Sequence, residues 1–291
     1  MERILKSRLL EWIEKENLIS IYQSGFRKNR CTNDNILRMI HDVKIGFTNK
    51  EKTGMITFDI RKAFDKVPHN KLIQRLQELN CPDYLISWVY DFLNNRSYTI
   101  SVNKALSNFI DIDCGVPQGS VLSPILFALY FDKITNCIDK TKKVKIALFA
   151  DDVVIWITHW NKAAIQSNLQ QVTTNFNNEC VNLGLEINVK KTTYTLFARN
   201  GNRKDFQPKS TLAIELNGEK IVQSLNPVIL GITFDPSMNF KYHFTKLIDR
   251  CSAKLNLIRI LSTYNKQINS SKLILVYKAY ILSLIPVFPR A

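Results

Sequence analysis

Phe149-Ala150-Asp151-Asp152 stands between two β-rich runs, Val144-Lys145-Ile146-Ala147-Leu148 before it and Val153-Val154-Ile155-Trp156-Ile157 after it. Runs of that length and composition read as strands, and the only place to turn between them is at the carboxylate pair. Two ionised aspartates at a tight strand junction repel and raise each other's pKa. A divalent cation would remove that cost. A second acidic strand end lies far upstream, in Met55-Ile56-Thr57-Phe58-Asp59-Ile60. The two ends together offer the oxygen ligands that hard cations take.

The surroundings are basic. The chain has 291 residues, a formal net charge of +15 and 45% hydrophobic residues, enough apolar material for a core. Such a charge on a foldable chain points to a polyanionic partner or an anionic surface, the bland alternative being a solvated basic face. Cys31, Cys81, Cys114, Cys137, Cys180 and Cys251 are scattered without a CxxC pair or a nearby His, which argues against a zinc site or a disulfide framework. Reduced, partly buried thiols and an intracellular setting are expected, nucleus or cytoplasm unresolved. Met1 to Lys6 lacks an apolar signal core, and Ile281 to Phe288 is too short to span a bilayer.

Periodicity places helices over 3–17 (Ile4, Leu5, Leu9, Leu10, Ile13), from Thr32 or Asn33 onward (Ile36, Leu37, Ile40, Val43), after Pro68 (Leu72, Ile73, Leu76, Leu79), and over about 84–93. A strand opens at Gly54, and 97–103 with 108–113 read as a strand pair. Ser123-Pro124 reads as cap plus first turn of a helix to about Ile138. A long helix is expected over about 161–183, then strands at 192–198, 212–216 and 228–234, with Asn200 to Asp205 as a surface loop. Residues 240–261 read as a basic amphipathic helix with Phe244, Leu247, Ile248, Leu255, Ile258 and Leu261 inward, and a last helix follows from about Ser270 to Leu284. Strands and helices without strict βαβ alternation indicate an α+β sheet backed by helices.

Asp59 and Asp151 are the candidate metal ligands, with Asp152 close by and the Ile60 carbonyl as a further oxygen. The competing reading makes Asp151 and Asp152 simple turn residues, but a buried sheet seldom ends in unpaired charges without a use. Gly115-Val116-Pro117-Gln118-Gly119-Ser120 is a loop whose glycines allow close backbone approach, with Gln118 free to hydrogen-bond a nucleotide or template base. Phe64 is either a core aromatic or a wall under a sugar ring. Carboxylates on two strand ends in a basic surround indicate phosphoryl or nucleotidyl transfer on a nucleic acid.

Three segments, Phe58-Asp59-Ile60-Arg61-Lys62-Ala63-Phe64-Asp65, Gly115 to Pro124, and Phe149-Ala150-Asp151-Asp152, resemble in order the central palm motifs of reverse transcriptases, specifically those of non-LTR (LINE-type) retrotransposons. Gln23-Ser24-Gly25-Phe26-Arg27 resembles the family's fingers-side motif. Gly184-Leu185, Asn188 and Lys190-Lys191-Thr192 resemble the motif after the long helix, and Leu230 to Asp235 the segment near the primer grip. The resemblance covers nearly the whole chain. It implies a right-hand polymerase: partial fingers over 1–54, palm over 55–235 and a truncated helical thumb over 236–291. It implies RNA-templated addition of deoxynucleotides to a DNA primer 3′ end with two Mg²⁺ ions, Mn²⁺ being an alternative ion.

Residue by residue, Asp59, Asp151 and Asp152 would be catalytic, Phe64 the sugar gate, and Gln118 and Gly119 nucleotide or template contacts. Lys190 or Lys191 would lie at the triphosphate. Arg27, Lys28 and Arg30 in a basic loop and Lys241, Lys246, Arg250, Lys254 and Arg259 on the thumb helix would track phosphates. The expected partners are template RNA, primer DNA and deoxynucleoside triphosphates, with no membrane. Against the family pattern the chain starts late, so a fragment lacking part of the fingers is expected. The alternative is an inactive remnant that only binds RNA or DNA. A ribonucleotide-polymerising relative shares the acidic palm, but Phe64 leaves no room for a 2′-hydroxyl.

Overall fold

A computed structural model describes residues 1–138, 143–199, 211–264 and 269–284. The chain forms two compact units divided between Ser224 and Leu225. The expected fingers–palm boundary at residue 54 falls inside the first unit. The expected surface loop from Asn200 and the final stretch after Leu284 lie outside the described residues.

The first unit opens with α1 (Glu2–Glu16) and α2 (Thr32–Thr48), followed by strand β1 (Lys52–Phe58), α3 (His69–Glu78) and α4 (Asp83–Leu93). Two short nested ladders come next, β2 (Ser97–Tyr98) with β5 (Ile110–Asp111) and β3 (Ser101–Val102) with β4 (Ala105–Leu106). Then come α5 (Ser123–Phe131), continued by a 3₁₀ turn to Cys137, and the hairpin β6 (Val144–Phe149) and β7 (Asp152–His159). Helix α6 (Lys162–Asn182), β8 (Thr193–Phe197), the pair β9 (Glu215–Leu216) and β10 (Glu219–Lys220), and β11 (Val222–Gln223) complete it.

The central sheet runs β11-β8-β1-β7-β6, antiparallel except for the short parallel β11–β8 edge. Successive side chains alternate faces, and the two faces of β1 meet different helices. A Cβ on Gly54 would lie 2.3 Å from Ile165 Cγ2 of α6, on the face where Phe58 stacks on Phe176 at 4.2 Å. On the other face Thr53 bonds Thr158, and a Cβ on Gly46 of α2 would lie 2.6 Å from Thr158 Cγ2. Trp156 on that face is fully buried and donates to Asp42 of α2. Helices on both faces explain why the central strands read as continuous apolar runs rather than as alternating ones.

Several starts and stops differ from the sequence reading. Helix α2 is capped at Cys31, whose N–H donates to Asp34 Oδ2 at 2.9 Å, rather than at Thr32 or Asn33. Ser123 is the first helical residue of α5 and not its cap. The Ser120 hydroxyl oxygen accepts from the N–H groups of Leu122 and Ser123, each at 3.1 Å, so the cap comes from the preceding loop. The pair expected over 97–103 and 108–113 is two two-residue ladders, and the strands expected at 212–216 and 228–234 shrink to two-residue pieces. Ile4 and Leu37, expected inward, are exposed.

The second unit holds the tight hairpin of β12 (Val228–Ile229) and β13 (Ile232–Thr233), with positive φ at Leu230 and Gly231 as a primed turn requires. Helices α7 (Lys241–Tyr264) and α8 (Ser270–Tyr280) follow. His243 is buried and its Nδ1 accepts from the Thr233 N–H. The inward stripe expected on α7 is not formed: Phe244, Ile248, Leu255 and Leu261 are exposed, with only Leu247 and Ile258 half-buried. In this unit α7 meets only α8 and the β12–β13 hairpin substantially among the described residues, too little surface to cover a helix of 24 residues. Among the described residues no helix is long and apolar enough to cross a membrane.

Candidate active site

The β6–β7 hairpin turns on two residues, Ala150 and Asp151, since Phe149 pairs with Asp152. φ is +57° at Ala150, a left-handed conformation that costs an L-residue about 1–2 kcal/mol. The turn is held from outside the hairpin by Gln23. Its Oε1 accepts from the Ala150 N–H at 3.2 Å and its Nε2 donates to the Ala150 carbonyl at 3.4 Å. The preceding strand edge is paired as well: Leu148 N–H donates to Tyr22 O, Ser24 N–H to Leu148 O, and Asn35 Nδ2 to Leu148 O.

Strand β1 runs beside β7, and Phe58 opposite Val153 is the last pair. One residue further, Asp59 leaves its strand level with Asp152. Its backbone is tied to the segment after α6: its carbonyl accepts from Asn188 N–H at 2.8 Å, Ile60 bridges Ile187, and Arg61 N–H donates to Glu186 O. Burial raises the Asp151 carboxyl above the usual range; the Asp59 charge adds to this, against a backbone hydrogen bond that lowers it. Asp152 keeps an exposed side chain, yet the protein around it displaces enough water to raise its pKa, and the charges of Asp151 and Asp59 raise it further. Asp151 and Asp152 thus feel the charge of Asp59 across two strand ends. Among the described residues no three His, Cys, Asp or Glu side chains form a closed group placed to hold a metal ion. The chemistry of Asp59, Asp151 and Asp152 is nevertheless that of a hard-cation donor set, oxygen-only and, for Asp151 and Asp152, facing the charge of Asp59.

A cavity of about 510 Å³ opens beside Asp59, lined also by Ile60, Arg61, Lys62, Lys66, Glu186, Asn188 and Lys191. Of the two candidate lysines, Lys191 lines it and Lys190 does not. Arg61, Lys66 and Glu186 were not singled out from sequence. Glu186 pairs with Arg61 Nη1 at 2.6 Å and Lys66 Nζ at 2.9 Å, and the Lys66 hydrogen bond leads in holding its carboxyl below the usual range. The density of cations just after Asp59 was the available signal.

Phe64 stacks on Phe127 at 4.3 Å and meets Phe26 edge-on at 6.3 Å, so it is rooted in the core and half-buried. The Gly115 loop is strapped beneath it: Val116 N–H donates to Phe64 O, Gly115 N–H to Val67 O, and Gln118 Nε2 to Asp65 Oδ1 at 2.8 Å. Gln118 lines a second cavity of about 590 Å³ with Asp65, Arg96 and Tyr98. Gly119 has φ +87° and open space where a side chain would stand.

The expected phosphate-tracking cations divide. Lys28 and Arg30 are exposed, whereas Arg27 turns inward and donates to Ser20 O at 2.8 Å, serving the loop rather than solvent. In the second unit Lys241, Lys246, Arg250 and Arg259 are exposed on α7; Lys246 lies over the Tyr242 ring, and Lys254 donates to Tyr280 O. Burial pushes the Cys81 and Cys137 thiols up to about 12, keeping them protonated and inert.

An antiparallel sheet between helix layers, with carboxylates on neighbouring strand ends, is a polymerase-type fold. Solved telomerase structures share it: that from Candida tropicalis in complex with a TWJ fragment of telomeric RNA (TM-score 0.57, 14% identity, 97% of this chain and 44% of that one) and that from Candida albicans (TM-score 0.54, 11% identity, 100% and 49%). The chain belongs to the reverse transcriptase (RNA-dependent DNA polymerase) family, which it matches over residues 1–234. It is 31% identical over 252 residues to the RNA-directed DNA polymerase from mobile element jockey of Drosophila melanogaster, covering 85% of this chain and 26% of the relative. It is 25% identical over 211 residues to the Pol polyprotein of type-1 retrotransposable element R2 from Popillia japonica, covering 69% and 29%. These are non-LTR elements, and the chain spans less than a third of either relative's length.

Proposed function

We propose that this chain carries out RNA-templated extension of a DNA primer by deoxynucleotidyl transfer. The observation that carries the reading is the convergence of Asp59 with Asp151 and Asp152 at adjacent ends of β1 and the β6–β7 hairpin, in a family of RNA-dependent DNA polymerases. Asp59 and Asp151, with Asp152 and the Ile60 carbonyl in support, would hold Mg²⁺ or Mn²⁺, which when bound lowers the pKa of the primer hydroxyl and neutralises charge on the leaving pyrophosphate. The chain's own side chains do the rest. Lys191, lining the cavity beside Asp59, would neutralise the triphosphate and give a proton from Nζ to the departing oxygen, with Lys190 in reserve outside it. Phe64, braced from below by Phe127, would present its edge to the 2′ position of the sugar. Gln118 and Gly119 would face the nascent base pair. Lys28, Arg30 and the α7 cations would run along phosphates.

The test is extension of oligo(dT) on poly(rA) with dTTP and Mg²⁺. The intact chain should extend the primer and Asp151→Asn should not. A second reading, a binding module without synthesis, draws on the carboxylates not being closed into a coordination group. Salt-sensitive RNA binding with no extension by the intact chain would establish it.

A further inference from the structure

Gln23 is fully buried, and its hydrogen bonds serve one purpose. The carboxamide brackets the Ala150 peptide, taking its N–H and giving to its C=O, while Oε1 also accepts from Gly25 N–H at 2.8 Å. A carboxamide supplies an acceptor and a donor on separate atoms of one planar group, matching the N–H and C=O of one residue: glutamate offers acceptors alone at neutral pH, and a hydrocarbon offers neither. The partner segment lies 127 residues away in sequence, so nothing local requires the contact. Around it, Asn35 Nδ2 donates to Leu148 O at 2.8 Å and its Oδ1 accepts from the Ser24 hydroxyl at 3.1 Å. Gly25 approaches so closely that a Cβ there would stand 2.4 Å from Ala150 N.

We infer that Gln23 is a positioning residue for the polymerase reaction: it holds Ala150 at positive φ and thereby fixes where the next residue, Asp151, presents its carboxylate. The inference rests on the function proposed above. The Gln23-Ser24-Gly25 segment is then a clamp on the catalytic turn, acting through backbone and touching no substrate. An unclamped turn relaxes from the left-handed conformation and carries Asp151 with it, and a displacement of about 1 Å in a reacting group costs about a hundredfold in rate.

The experiment compares the intact chain with Gln23→Met in two readouts, primer extension and backbone amide exchange. In extension on poly(rA) with oligo(dT), kcat should fall between about 10- and 100-fold with KM for dTTP unchanged. In exchange, amides of 148–152 should open about tenfold faster, one buried hydrogen bond's worth, while α6 stays as it was. Unchanged kcat per folded molecule, or unchanged exchange at 148–152, overturns the inference. If Gln23→Met fails to fold, Gly25→Ala, which drives the loop off Ala150, should give the same split between kcat and KM; an unchanged kcat there overturns it too. If the unaltered chain itself extends no primer, the proposed function fails, and the exchange readout alone decides whether Gln23 clamps the turn.

Discussion

Asp151 and Asp152 both have carboxyls raised by burial and by neighbouring charge, which has a signed consequence for stability. A folded-state pKa above the unfolded one means the native chain holds protons that the unfolded chain releases, so stability is full below the ordinary value of 3.8 and falls as pH rises through the folded value. In divalent-free buffer Asp151→Asn should therefore be more stable than the unaltered chain at pH 7, with the gap closing toward pH 4; urea titration at both pH values reads this, and a variant less stable at pH 7 would contradict it. At Phe64 the prediction concerns substrate. Phe64→Val should admit ribonucleotides and lose about 1 kcal/mol from the Phe127 stack; unchanged sugar discrimination in a competition assay would leave Phe64 a core residue only. The carboxylates were legible because each sits where a strand-like run ends. The roles of Gln23, which stood out only within a segment resembling a family motif, and of Asn35 were not, because their partners lie 127 and 113 residues away and leave no local pattern.

Among elements, β1 is pinned on both faces, and Gly54 is where α6 comes closest. Gly54→Ala would set its Cβ 2.3 Å from Ile165 Cγ2 and 2.8 Å from Leu169 Cδ1. It should destabilise the first unit by about 1–3 kcal/mol through overpacking, measurable as a lower urea midpoint; an unchanged midpoint would show α6 free to shift. The long helices follow from the 3.6-residue repeat that burial on one face imposes, and the β6–β7 hairpin from two apolar runs buried on both faces and broken only at the carboxylate pair. Two-residue ladders such as β3–β4 and β12–β13 carry too few residues to show any period. The α5 cap was misassigned because Ser120 and Ser123 are equally good cap residues by type, and only the path of the Gly115 loop decides between them. On α7 the apolar repeat is present, but its residues are mostly exposed, so periodicity there did not translate into burial.

At the scale of the whole molecule the net charge of +15 sets how nucleic acid is met. If binding neutralises 6–10 phosphates, affinity for an RNA–DNA duplex should drop by roughly 10³–10⁵ between 50 and 200 mM salt. Lys246→Ala should lower the logarithmic salt slope by about one. Fluorescence anisotropy against salt reads both, and a flat dependence would remove the phosphate-tracking role. The C-terminal unit begins at Leu225, ahead of the thumb expected over 236–291, because the β12–β13 hairpin packs with α7 rather than joining the central sheet. The central claim is that carboxylates from two distant segments act together in RNA-templated DNA synthesis. It is tested most directly by Mg²⁺-dependent extension of a DNA primer on an RNA template, with Asp59→Asn and Asp151→Asn run separately beside the unaltered chain. Extension by the unaltered chain and its loss in each variant is the predicted result; extension at the unaltered rate by either variant would contradict it.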